Sequence, residues 1–217
     1  MKTLKSYLIL CTCLLVTSLY GQISVGVEAG YTRAWEDYGD VELPPDAEIH
    51  IGGFNVSLLG YLKLTDHISV GIEPGYIKRG AACVPGWAPV FEGDTKLFLD
   101  HIELPLMASF NVPLLNNKLE AFARIGYGVS YLLSATEEVL TINEEDPFRT
   151  KLDLTSPRQD FNRLEHGAYG SLGLGYNMGQ GQFFVKTDYY MAMNNAVGFT
   201  ASENRNININ VGYLIEL

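Results

Sequence analysis

The C-terminal run constrains the fold more tightly than any other stretch. Ile207, Ile209, Val211, Tyr213, Ile215 and Leu217 alternate with Asn206, Asn208, Asn210, Gly212, Leu214 and Glu216. A helix would put Asn206, Asn210 and Tyr213 on one face, whereas a period of two gathers the apolar set on one side. The first segment after the N-terminal apolar run behaves alike, with Ile23, Val25, Val27, Ala29 and Tyr31 set against Ser24, Gly26, Glu28, Gly30 and Thr32. Further alternating segments centre on Val56 and Leu58, on Val70 and Ile72, on Leu104 and Leu106, on Ile125 and Tyr127, on Leu172 and Leu174, and on Phe183 and Val185.

Eight such segments are an even number, as a closed up-and-down barrel requires. No stretch beyond the N-terminal one is apolar for long enough to cross a bilayer as a helix. The predicted fold is therefore all-β, a closed eight-stranded antiparallel up-and-down transmembrane β-barrel. Closure matters because an open edge in lipid leaves backbone groups unpaired, at about several kcal/mol each. A soluble barrel around a ligand would turn the apolar parity inward and the other parity to water. Gly, Ser and Asn dominate that second parity, which suits a narrow interior better than a wet exterior. Tyr31, Tyr76, Tyr131 and Tyr213 lie on the apolar parity, where interfacial girdles need them.

Residues 1–21 are read as a cleavable signal peptide and residues 22–217 as the barrel. Lys2 and Lys5 form a charged start, Tyr7 to Val16 a short apolar core, and Ser18 and Gly21 small residues before Gln22. Cys11 and Cys13 are poor lipid-anchor sites, because Leu10 and Thr12 precede them. Removing the segment takes two lysines and no acid, lowering the formal charge from −10 to −12. So acidic a chain is no partner for nucleic acid. Cys83 is then the one cysteine left, and an internal disulfide is ruled out.

Short turns are expected at Thr65–Asp66, Asn116–Asn117 and Gly179–Gly181, and long polar loops at about Trp35–His50, Gly80–Lys96, Ala135–Asp160 and Ala196–Glu203. Outer-membrane barrels keep their short turns in the periplasm, which would place both termini there and the long loops outside the cell. Pro74 and Pro105 fall inside predicted strands, each removing a ladder donor, and bulges are expected to accommodate them.

The run Gly71-Ile-Glu-Pro-Gly-Tyr-Ile-Lys-Arg-Gly-Ala81 resembles the third strand and following loop of the small outer-membrane barrels of Bacteroidota, a group that includes the PorT-like proteins. His101-Ile-Glu-Leu-Pro-Leu-Met107 is similar to that family's fourth strand, with weaker agreement over Phe161 to Tyr176 and at Val211-Gly212-Tyr213. The resemblance spans the chain after residue 21. It implies an eight-stranded barrel in the outer membrane and, for one branch, a link to protein secretion. The final Leu217 departs from the Phe that closes many such barrels.

The inward parity carries Glu28, Glu73, Glu103, Arg124, Lys186 and Asp188, with a net formal charge of −2. A polar plug is the simpler use of these groups, since an eight-stranded interior is just wide enough for side chains. A narrow cation-preferring channel, gated by rearranging the pairs, is the alternative. An outer-membrane lipid hydrolase ranks lower. His166 has Ala168 where a serine nucleophile would stand, and the four histidines show no metal-ligand spacing. No catalytic residue, cofactor or metal is expected.

Glu36, Asp37, Asp40, Glu42, Asp46 and Glu48 crowd the first long loop, and Glu137, Glu138, Glu144, Glu145 and Asp146 the third. They read as solvated carboxylates rather than a divalent-cation site, since neither loop has an EF-hand pattern. Trp35, Tyr38, Trp87 and Phe91 are candidate partner contacts among the outer loops. The leading expectation is an integral outer-membrane barrel without enzymatic activity. It would be structural or part of a secretion or surface-transport assembly, surrounded by outer-membrane lipid and lipopolysaccharide.

Overall fold

The computed structural model describes residues 22–37, 50–83, 94–140, 148–155, 162–194 and 203–217. The signal-peptide reading of residues 1–21 lies outside the described residues, as do Tyr38, Trp87 and Phe91.

The described chain is built from strands: β1 (Ile23–Asp37), β2 (Ile51–Lys63), β3 (Ile68–Ile72), β4 (Gly75–Cys83), β5 (Asp94–Leu114), β6 (Leu119–Leu140), β7 (Phe148–Lys151), β8 (Leu164–Met178), β9 (Gly181–Ala192) and β10 (Glu203–Glu216). β3 and β4 are two halves of one wall strand, because both pair with β2 on one side and β5 on the other. β5 pairs with β6, β6 with β8, β8 with β9, β9 with β10, and β10 with β1, which pairs with β2. The result is a closed antiparallel ring of eight staves. β7 is an extra short strand laid against the upper part of β6.

Alternation becomes burial with little exception. Leu58, Leu106, Ile125, Leu172 and Ile209 point outward, with Ile125 72% exposed and Leu172 70% exposed. Their cross-parity neighbours Ser57, Met107, Arg124, Ser171 and Asn210 are buried inside. An apolar surface running right round a ring far exceeds the patches of a few hundred Å² that water-soluble monomers tolerate. Hydrocarbon is the solvent in which it is stable. Among the described residues no helix is long and apolar enough to cross a membrane.

One end of the ring carries the three short turns. Thr65 Oγ1 accepts from the backbone N–H of Ile68 at 3.0 Å and of His67 at 3.2 Å, closing the first. Leu115, Asn116 and Asn117 all take left-handed φ values in the second, which Asn accepts more readily than most residues. Gly179, at φ 63°, takes the left-handed position that a two-residue hairpin needs. Ile23 and Leu217 meet at this same end, where the Leu217 N–H donates to the Ile23 carbonyl.

The expected bulges at the prolines do not form. Gly60 pairs with Ile72 and Ser57 with Gly75 in one unshifted register, and β5 continues likewise from Leu106 to Glu103. Instead the ladder lapses at Glu73–Pro74. The Pro105 carbonyl accepts from the Glu73 N–H at 3.2 Å, so Pro105 turns its donor-less nitrogen toward that same lapse. One interruption thus accommodates both prolines. The real bulge lies higher, where Asp100 pairs with Ser134 but His101 with Leu132, leaving Leu133 extra on β6.

Two of the expected long loops are shorter than the sequence suggested. β4 runs to Cys83, β5 begins at Asp94 and β6 runs to Leu140, so the wall rises past Gly80, Lys96 and Ala135.

Candidate functional site: the charged interior

Two tiers of ion pairs cross the lumen. In the tier nearer the short turns, Lys186 from β9 is the hub. Its Nζ lies 3.0 Å from Glu28 of β1, 2.9 Å from Glu73 between β3 and β4, and 3.3 Å from Asp188. Arg124 from β6 reaches the other Glu73 oxygen at 2.8 Å, and Tyr61 of β2 donates to that same oxygen. The Arg124 guanidinium lies over the Phe122 ring at 4.3 Å and the Tyr61 ring at 4.6 Å. Asn210 of β10 donates to Asp188 at 2.5 Å. All six lumen residues expected from parity are buried, and five of them meet in this tier.

Glu103, the sixth, belongs to the second tier, whose hub was not foreseen. Arg79 of β4 has a side chain with 0% exposure and pairs with Glu103 of β5 and Glu165 of β8. It also donates through Nε to Asn206 at 2.9 Å and lies 4.0 Å over the Tyr190 ring. Tyr169 donates to Glu103 at 3.0 Å, while Tyr190 and Asn204 donate to Glu165 at 2.8 and 2.5 Å. Parity continued through Pro74 would have found Arg79, because Glu73, Ile77 and Arg79 all face inward. Glu165 was hidden by the Gly-rich start of β8. Counting both additions, five carboxylates face three cations, and the formal sum stays at −2.

Apolar layers lie on either side of these tiers. Leu59, Tyr61, Met107, Phe122, Phe184 and Leu214 pack across the lumen toward the short turns. Leu97, Leu99, Leu132, Ala135 and Leu152 pack toward the long loops. The bulge at Leu133 turns Ala135 into this second layer. Below the first layer a polar vestibule of about 210 Å³ lies at the short-turn end, among Ser24, Ser69, Ser109, Asn111, Gln182 and Arg124. The paired side chains are buried, so each charge depends on its partners more than on solvent.

Other candidates fall elsewhere. Trp35 belongs to β1, packing edge-on against His50 at 5.3 Å and lying 6.4 Å from Tyr189. His166 faces outward with Nδ1 2.7 Å from the Tyr127 hydroxyl, and His101 is buried in the lumen. Two acids of the expected loop clusters are paired. Arg205 of β10 reaches Asp37 at 2.6 Å, and Arg149 of β7 reaches Glu138 at 2.6 Å. The sequence reading missed both because the partners come from other strands. Asp40, Glu42, Asp46, Glu48, Glu144, Glu145 and Asp146 lie outside the described residues. Among the described residues, no group of three or more His, Cys, Asp or Glu is placed to hold a metal ion.

A closed ring, apolar outside and ion-paired within, agrees with a family match that covers most of the chain. The family model for the outer membrane protein beta-barrel domain matches residues 18–198. The chain belongs to that family. Membership places this barrel in the outer membrane. Among solved structures, neisserial surface protein A is 11% identical, with a TM-score of 0.49 over 90% of this chain and 97% of that one. OprG from Pseudomonas aeruginosa is 12% identical, with a TM-score of 0.48 over 91% and 97%. Ail, the attachment invasion locus protein of Yersinia pestis, is 14% identical, with a TM-score of 0.44 over 90% and 99%. A search of curated proteins gives no match.

Proposed function

We propose that this barrel is a non-enzymatic, non-conducting anchor that holds its long-loop end outside the cell, with its termini in the periplasm, as an interaction component of an outer-membrane assembly. The observation that carries the reading is the filled lumen. Lys186 and Arg79 have side chains with 0% exposure, and each is bound by two or more carboxylates from different staves. A barrel so closed has its loops as its working surface. The PorT-like, Bacteroidota likeness of the Ile102–Leu106 run makes a secretion or surface-transport assembly the partner of choice. For the non-enzymatic part, His166 is engaged by Tyr127 and has Ala168, not a nucleophile, as its outward neighbour on β8.

A second reading, the narrow cation-preferring channel, is favoured by the vestibule at the short-turn end and the negative lumen sum. Planar-bilayer recording of the refolded protein separates the two. The plug predicts no steady conductance from the parent or from Arg124→Ala, and stable cation-selective steps from the parent would establish the channel instead. Affinity capture of the native protein from outer membranes, followed by mass spectrometry, tests the assembly. Reproducible recovery of a secretion or transport complex is expected, and recovery of the barrel always alone would overturn the interaction role.

A further inference from the structure

Three buried polar atoms stand along one row of the lumen wall without partners. At one register around the ring, Ser69 of β3 faces Ser109 of β5, Ser109 faces Arg124 of β6, and Ser171 of β8 and Asp188 of β9 follow. Arg124 is 4% exposed, and Ser171 and Asp188 are each 6% exposed. Arg124 Nε, Ser171 Oγ and Asp188 Oδ1 have no hydrogen-bond partner among the described residues. An unused donor and an unused acceptor thus stand two staves apart, and between them is a hydroxyl that is both. Glu28, Asn210, His101 and Asn204 also have one such atom each, but they form no comparable row. Glu28 Oε2 faces Lys186 at 3.0 Å, and the Asn210 oxygen leans over Gly30. His101 and Asn204 lie on β5 and β10, across the ring from each other.

Aromatic rings bound the row on two sides. Toward the short turns, Phe122 and Phe184 meet edge to face at 6.0 Å, and a Cβ on Gly173 would strike the Phe122 ring. Toward the long loops, Tyr169 and Tyr190 are the next inward residues after Ser171 and Asp188, with ring centroids 4.7 Å apart. Arg79 stacks on Tyr190 and donates through all three of its nitrogens, so the row ends under a ceiling whose cation is already satisfied. A third side is open. Ser69, Ser109 and Arg124 line the vestibule at the short-turn end, which brings bulk water to the first partnerless residue of the row.

Charge selects the occupant of such a row. Arg124 and Lys186 repel a cation, while Glu73 and Asp188 repel an anion. A neutral molecule that donates and accepts at once suits all three atoms, and buried waters bind in this way to otherwise unsatisfied groups. We propose that the vestibule is the mouth of a water-filled half-channel, in which bound waters run past Arg124 to Ser171 and Asp188 and stop beneath the Tyr169–Tyr190 pair. Water between Arg124 and Asp188 completes the lower tier as a ring, Lys186–Glu73–Arg124–water–Asp188. This rests on the plugged-lumen reading above and deepens it. The lower tier is wet, the upper tier is dry, and ions do not pass.

The test is water-to-protein magnetisation transfer in solid-state NMR of the isotope-labelled protein, refolded into lipid bilayers. Transfer to Arg124 Nε and the Asp188 carboxyl should be several times faster than transfer to Arg79 Nε and the Glu165 carboxyl. Ser171→Val fills the step between Arg124 and Asp188, so transfer to Asp188 should fall to the upper-tier rate while Arg124 stays fast. Ser171→Ala leaves room for water and should keep Asp188 fast. Equal rates in the two tiers of the parent overturn the proposal, as does fast transfer to Asp188 in a folded Ser171→Val protein. Should the valine prevent folding, the comparison of tiers in the parent decides alone. Planar-bilayer recording reads the plug separately. A conducting barrel with fast transfer at both tiers refutes both readings, whereas a silent barrel with equally slow transfer refutes the half-channel alone.

Discussion

Removing the Arg79 guanidinium would leave Glu103 and Glu165 buried with no countercharge in reach. Breaking a buried pair in this way costs about 3–5 kcal/mol, far more than the net worth of an intact pair. Arg79→Met should therefore lower unfolding stability in lipid by about that amount, measured by urea titration. Arg149→Met, on a side chain 67% exposed, should cost less than about 1 kcal/mol. Equal effects would mean that the upper tier carries no load. At this scale the sequence was legible wherever alternation was unbroken, which is how Glu28, Glu73, Glu103, Arg124, Lys186 and Asp188 were found. Arg79 escaped because Pro74 and Gly80 look like punctuation, although parity runs straight through Pro74 as far as Arg79. Glu165 escaped because glycines on both parities of β8 erase the contrast that a period of two needs.

The staves themselves show where local chemistry was misread. Pro74 and Pro105 each suggest a bulge when considered alone. Side by side, they need only one lapse in the ladder, and that pairing across strands is invisible to a window along the chain. Because the Pro105 nitrogen faces the lapse, Pro105→Ala should change stability by less than about 1 kcal/mol. Gly128 pairs with Pro105, and a Cβ there would run into the Pro105 backbone. Gly128→Val should cost about 1–3 kcal/mol through overpacking. Urea midpoints of the two variants decide this, and a larger loss for Pro105→Ala than for Gly128→Val would contradict the shared lapse. The upper ends of β4, β5 and β6 were read as loop because acids and glycines crowd them. There the wall is held by partners from other strands, such as Arg149 against Glu138 and Leu152 against Leu97 and Leu99.

For the molecule as a whole, one sorting rule yields both surfaces. Residues of one parity make a hydrocarbon-facing band, and those of the other make an ion-paired interior. The count of eight and the short-turn layout were legible because lipid permits no open edge and no unpaired backbone. The layering inside was not, since it depends on which inward residues end up at the same height in a ring of tilted staves. β9 offers a direct test of the sorting, because Phe183 and Tyr189 point outward while their neighbours Phe184 and Tyr190 point inward. In a background with Trp35→Phe and Trp87→Phe, each of the four positions is changed singly to Trp and the protein is refolded into bilayers with brominated acyl chains. Strong quenching is predicted for Phe183→Trp and Tyr189→Trp and little for Phe184→Trp and Tyr190→Trp. Quenching that is equal within each neighbouring pair, or reversed, would contradict the inside-out arrangement.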